Sequence, residues 1–408
     1  MVPVQAQDLR ADEALVRRIR SWRGRCLLVG LVGSAAAAAG FVLDRHAFFP
    51  GYLVAFLLWT GLAAGSLAVL LLHHLVGGWW GYVTRRILET AAGMLPFSAV
   101  LFVPIAFGLH DLYEWTHADV VQRDPVLAQK TSYLNPTFFL ARSGACLLLW
   151  TVLAWLMNRW SRAQDQDPGD RLTNRLRVVA GPAIVLHVLL VTVSAIDWSM
   201  SLEPHWFSAI YGVLFLVGQG LMALAFAVLI LCACRSQKPF IGVLATSHLH
   251  DLGKLLFAFV MLWSYMSLSQ FLIIWSGNLP EEVPFYLHRS HGGWQWVAMV
   301  IIVFQFFFPF VALLPADMKK KPTVLMVVAV LMVLLRWVDI TWYVQPAFAP
   351  DRLHLHWSAV AAPVGMGGLW LALFFTALLR RPLLPVHSPA MDAHAHGAAA
   401  AASTGGGH

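Results

Sequence analysis

Ten apolar runs, each long enough to cross a lipid bilayer, constrain this chain more than any other feature. They fall at about 26–43, 52–76, 90–109, 137–157, 178–196, 207–233, 252–275, 294–315, 323–343 and 357–379. A bilayer-spanning helix needs roughly 20 mostly apolar residues, so the pattern predicts an all-α polytopic membrane protein. Composition agrees. Only 12% of the 408 residues are charged, against about 25% in a typical soluble domain.

The basic residues give the orientation. Twenty-one of the 28 Lys and Arg fall on one side of the alternating spans and five on the other (Arg45, Arg123, Lys130, Arg289 and Arg352), with Arg142 and Arg336 inside spans. Cytoplasmic loops carry the excess of Lys and Arg, which predicts ten spans with both ends in the cytoplasm. The opposite loops are acidic, with Asp111, Glu114, Asp119, Asp124, Glu203, Glu281 and Glu282. The net charge of +7 therefore serves topology and does not point to nucleic acid. The four cysteines, Cys26, Cys146, Cys232 and Cys234, form no CxxC, CxxCH or four-Cys set. That argues against a covalent haem, a structural zinc or an iron–sulfur cluster in this chain.

Spans two and six look like copies. Tyr52–Leu72 and Tyr211–Leu231 are identical at 11 of 21 ungapped positions, including Tyr52/Tyr211, Phe56/Phe215 and Gly61/Gly220. The expected architecture is two parallel four-helix bundles, spans two to five and six to nine, flanked by spans one and ten. The halves run over 26–196 and 197–381. An Arg-rich arm covers 1–25. Its length and its acids argue against a cleaved signal peptide. A Pro-, Ala-, Gly- and His-rich tail at 382–408 is expected to be disordered.

Ionisable residues at membrane depth are costly and mark function or partnership. The outer group is His110, Asp111, Arg142, Asp197, His205, Arg336 and Asp339; Arg336 and Asp339, three apart, share a helix face and can pair. The inner group is His73, His74, Glu89, His248, His250, Asp251, Lys254 and Asp317. His187, Gln219 and Thr192 lie between. Two polar half-paths with a sparse centre suit a proton route. Its candidates are Asp197, His205, Arg336 and Asp339 outside, His187 near the midpoint, and His248, Asp251 and Lys254 inside. Haem b is disfavoured, because His187 has no second mid-membrane histidine to match it. No phosphate loop, nucleophile elbow or zinc motif occurs.

Three stretches carry a family resemblance: IDWSMSLEPHWFSAIYGV at 196–213, HLHDLGKLLFAFVMLWSYMSLSQFLIIWSGNLPEE at 248–282, and RWVDITWYV at 336–344. They resemble the ActF-type membrane subunit of bacterial alternative complex III, a quinol:electron-acceptor oxidoreductase. That family is related to the NrfD and polysulfide-reductase membrane subunits. The likeness covers about residues 51–379. It implies a ten-helix subunit in the bacterial cytoplasmic membrane, serving a respiratory or photosynthetic electron-transport chain. It also implies no cofactor bound by this chain. Haem c and iron–sulfur clusters would sit in partner subunits: multihaem cytochromes c and an iron–sulfur protein, beside an ActC-like sister membrane subunit. Electrons from quinol would pass to a cytochrome c or to a haem–copper oxidase. The motif positions are Asp197, Glu203, His205, Asp251, Lys254, Gln270, Arg336 and Asp339, with roles left open. Two rival readings stand beside a proton-conducting subunit. One is a quinol pocket in this chain, from Trp198 and His205 with Asp197 or Asp339. The other is a secondary transporter with an internal repeat.

Overall fold

The computed structural model describes residues 9–167, 169–241 and 243–387. Ten long apolar helices form among them: α1 (Glu13–Leu43), α2 (Arg45–Val76), α3 (Trp79–Phe107), α4 (Pro136–Gln164), α5 (Asp170–Leu202), α6 (Tyr211–Cys234), α7 (Thr246–Gly277), α8 (Trp294–Leu313), α9 (Pro322–Ala347) and α10 (Ser358–Leu378). The described residues contain no strand.

The two copies, α2 and α6, form the centre. Their most apolar windows are 89% and 78% buried, against 22% for α1, α7 and α8. In the first bundle α2 packs on α3 and α5, and α4 closes the ring on α3 and α5. The second bundle repeats this: α6 packs on α7 and α9, and α8 closes on α7 and α9. The bundles also exchange contacts symmetrically, α2 with α9 and α6 with α5, while α2 and α6 touch directly. The same neighbours in the same order make the repeat a property of the fold.

Helices α1 and α10 lie outside the bundles and pack on each other and on α2. Glycines permit their close approach. A Cβ built on Gly33 would stand 2.7 Å from the Gly365 backbone, and one on Gly30 would stand 2.7 Å from the Gly368 carbonyl carbon. Small residues at such crossings let helix backbones touch. Gly365→Leu should therefore push α1 off α10 and lower the melting temperature in detergent. Gly24→Leu, at an open position on α1, is the control; equal melting of the two variants would refute this packing role.

Local chemistry sets the helix irregularities. Helix α3 breaks at Gly93 and Met94, where Pro96 cannot supply the N–H that would bond to Ala92. Helix α8 carries a π-helical stretch at Ile302–Phe307. Two expectations are corrected at the ends. From Glu13 onward the expected arm is continuous with span one, because α1 already begins there, capped by the Asp12 carboxylate accepting from the Leu15 N–H at 2.7 Å. The tail is not structureless from 382. Leu383, Leu384 and Val386 are buried, and the Leu383 N–H donates to the Leu9 carbonyl at 2.9 Å. Apolar Leu383 and Leu384 find a surface that composition alone does not reveal. The rest of the expected tail, 388–408, lies outside the described residues.

Candidate functional site

Helices α5 and α9, which hold equivalent places in the two bundles, each carry a buried aspartate near the acidic end of the protein. Asp197 on α5 is 1% exposed and takes a two-pronged grip from Arg142 on α4, Nε to Oδ2 at 2.7 Å and Nη2 to Oδ1 at 2.9 Å. Arg142 also donates to the Tyr133 carbonyl and lies over the Tyr133 and Phe138 rings. The planar fork of Arg matches a carboxylate in this way, and Lys could not. Asp339 on α9 pairs with Arg336 of its own helix, one turn back, as their spacing predicts, and both are 2% exposed.

The Arg336–Asp339 pair is the less satisfied of the two. Arg336 Nε and Nη2 are buried without a partner. Its guanidinium presses on Gly218 and sits 5.4 Å from the Phe215 ring centroid. Trp263 of α7 and Gln305 of α8 stand beside the Asp339 carboxylate. Gln305 lies in the π-helical stretch and is 1% exposed, whereas Phe304 and Phe307 beside it face outward. A π-bulge shifts the register of a helix and is frequent at functional sites. Here it directs a polar amide to the bundle interior.

Over this pair the connecting loops form a clamp. Arg289, counted from sequence among the few basic residues of the opposite loops, is 2% exposed. It donates to Glu203 Oε2 at 3.0 Å and to the carbonyls of Phe285, Trp342 and Tyr343. His288 Nδ1 lies 2.9 Å from Glu203 Oε1. Burial pushes the Glu203 carboxyl up, but the Arg289 charge and the hydrogen bonds from His288 and Arg289 outweigh it, so the net shift is downward. A depressed carboxylate stabilises the fold above its ordinary titration range and loses that contribution as pH falls through the depressed value. The clamp should therefore loosen only below the ordinary glutamate range. Limited pepsin cleavage between 278 and 293 should rise as pH falls, and Glu203→Gln should cleave readily even at the upper end of pepsin's range. A wild-type-like profile for that variant would rule out Glu203 as the anchor.

The other sequence candidates separate. His205 is half exposed and lies 2.5 Å from Asp124, which caps the short helix Pro125–Lys130. The expected grouping of His205 with Asp197 or Asp339 is not formed, because each buried aspartate is already held by an arginine. The cavity that Trp198 lines is about 10 Å³, too small for a quinol ring. A much larger cavity, about 530 Å³, opens elsewhere, among Phe48, Phe49, Tyr52, Phe107 and Met366. His187 is fully buried near the centre of α5, with neither ring nitrogen hydrogen-bonded and Trp150 6.0 Å away. At the basic end, His248 is buried against Trp79, the rings stacked at 4.7 Å. Asp251 and Lys254 pair at 3.2 Å but are about half exposed, so they do not enter the bundle.

The main inner site is one that sequence reading did not assemble. Glu89 of α3 is fully buried. It accepts from Arg85 at 2.7 Å, Arg86 at 2.8 Å and Ser161 at 2.5 Å, and Arg381 approaches to 3.2 Å. Arg86 also pairs with Asp165, and Arg85 donates to Gln164. Burial, against the opposing pull of Glu89, brings Arg381 down to about 10, still charged at neutral pH. Three arginines thus share two carboxylates. The signal was present: Arg85 and Arg86 stand four and three residues before Glu89, on one helix face. Among the described residues no group of three or more His, Cys, Asp or Glu is placed to hold a metal. No protein-family model matches the chain, and no curated protein matches it.

Proposed function

We propose that this chain is the ActF-like membrane subunit of a quinol:electron-acceptor oxidoreductase of the alternative complex III type, and that it contributes a proton path. One observation carries the reading. The first and third of the stretches that resemble the family, and the part of the second around Gln270, meet at the acidic end of the second bundle. Tyr211 of the first meets Tyr343 of the third edge-on at 5.7 Å, and Ser208 of the first reaches Gln270 of the second. Arg289 ties Glu203 to the Trp342 and Tyr343 carbonyls. A constellation assembled from separated motifs is what a shared site requires.

In this reading electrons travel through partner subunits: multihaem cytochromes c, an iron–sulfur protein and a sister membrane subunit. The chain's own residues handle protons and hold the assembly. Asp339 and Asp197 are the outer carboxylates, and His187 is the central group able to exchange a proton. The basic loops face the cytoplasm and the acidic loops the opposite side.

The test is purification of the intact chain from its native membrane in mild detergent, with a visible spectrum and subunit identification. Co-purified c-type haem and an iron–sulfur subunit are expected. A stable, haem-free single species from membranes whose other complexes survive extraction would overturn the assignment and favour a transporter.

A further inference from the structure

A hydroxyl inside an apolar helix commonly donates to the carbonyl one turn back. Ser66, Thr84, Thr192, Thr341 and Thr376 all do so, at 2.7–2.8 Å. Thr60 on α2 and Ser194 on α5 do not. Both are buried, and neither hydroxyl has a hydrogen-bond partner. The Cys146 sulfur is within reach of the Ser194 hydroxyl as a weak acceptor, and its own S–H is directed at the Leu190 carbonyl. The side-chain oxygen of Gln219 on α6 is likewise buried and unpartnered.

These three groups line one small cavity between α2, α5 and α6, walled by Trp198 and Phe215. Ser98 and Ser267 also have unpartnered hydroxyls but do not line it. Thr60 and Gln219 stand at matching positions of the repeat, eight residues after Tyr52 and Tyr211. The polar groups therefore meet where the two halves of the fold join.

A buried polar group left without a partner keeps its full desolvation cost, and three in one place call for a partner. The cavity holds about 10 Å³, close to the smallest space that admits one water, which needs two to four polar partners. No charged side chain lines it to hold an ion. We propose that this cavity is a binding site for one structural water, hydrogen-bonded to Thr60, Ser194 and Gln219 and joining the two repeats. The water stands between two of the buried ionisable sites, His187 and the Arg336–Asp339 pair. Ser194 shares a face of α5 with His187, seven residues or about 10 Å away. Phe215, on the other wall, carries the Arg336 guanidinium. The site goes beyond the proposed function, because it holds whether or not the chain moves protons.

Radiolytic hydroxyl-radical labelling of the full chain in lipid nanodiscs tests this, since bound water becomes a local oxidant for the side chains around it. Oxidation of Trp198 and Phe215 is expected above that of Trp370, which is fully buried and does not line the cavity. It should be lost in the Thr60→Val, Ser194→Ala double variant. That variant should also melt below wild type, because the water loses two partners. Labelling no higher than at Trp370, labelling that survives the double substitution, or a higher melting temperature from removing two orphaned hydroxyls would each overturn the proposal.

Discussion

Replacing Glu89 by Ala should destabilise the protein by about 3–5 kcal/mol, the usual cost of removing one partner from a buried ion pair. The side chain is fully buried and is the shared acceptor for Arg85, Arg86 and Arg381. Without it, three buried guanidinium groups are left with Asp165 as the one nearby carboxylate. Neutral acceptors remain: Gln164 for Arg85, and Asn158 for Arg381 at 3.0 Å. They accept hydrogen bonds but do not balance charge. The melting temperature in detergent should fall sharply, and the yield of folded protein with it. Glu89→Gln, which keeps an acceptor for Ser161, should lose less. Adding Arg381→Met to Glu89→Ala should restore part of the loss, because one uncompensated charge is removed with its partner. A melting temperature unchanged by Glu89→Ala would mean that the cluster is hydrated and the ion pairs carry little.

Asp339→Ala should cost a similar amount, about 3–5 kcal/mol. It removes the hydrogen-bonded partner of Arg336, whose other two nitrogen positions are already unpartnered. The informative variant is the double one, Arg336→Met with Asp339→Leu. Taking out both charges ends the desolvation penalty, and buried pairs replaced by apolar residues of similar volume are often neutral or stabilising. The double variant should therefore melt near wild type. It then separates glue from relay. If the chain belongs to the proposed oxidoreductase, a stable double variant with fewer protons moved per electron assigns the pair to proton transfer. An unchanged ratio assigns it to structure alone. A double variant that melts as low as Asp339→Ala would contradict the desolvation argument itself.

Much of the architecture was readable in the chain because its causes are local. Twenty apolar residues in a row must become a spanning helix in lipid, whatever the neighbours are. The likeness of Tyr52–Leu72 to Tyr211–Leu231 anticipated that α2 and α6 would be equivalent, and they are the two most buried helices. Arg336 and Asp339 were legible as a pair because helical spacing puts them on one face.

The site was less legible, because its partners are joined through space. Arg142 reaches Asp197 across 55 residues, and Arg289 reaches Glu203 across 86. In sequence, Arg85, Arg86, Arg289 and Arg381 count only as loop charges that set orientation, since hydropathy registers that a charge lies near a helix end and not which way it turns. The chain by itself determined ten helices, their apolar faces and the repeat, which follow from residue-by-residue transfer from water to lipid. The tertiary structure alone decided which carboxylate each arginine meets and that Thr60, Ser194 and Gln219 share a cavity. Those contacts depend on how close two helices come, and that distance is set by side chains on both of them.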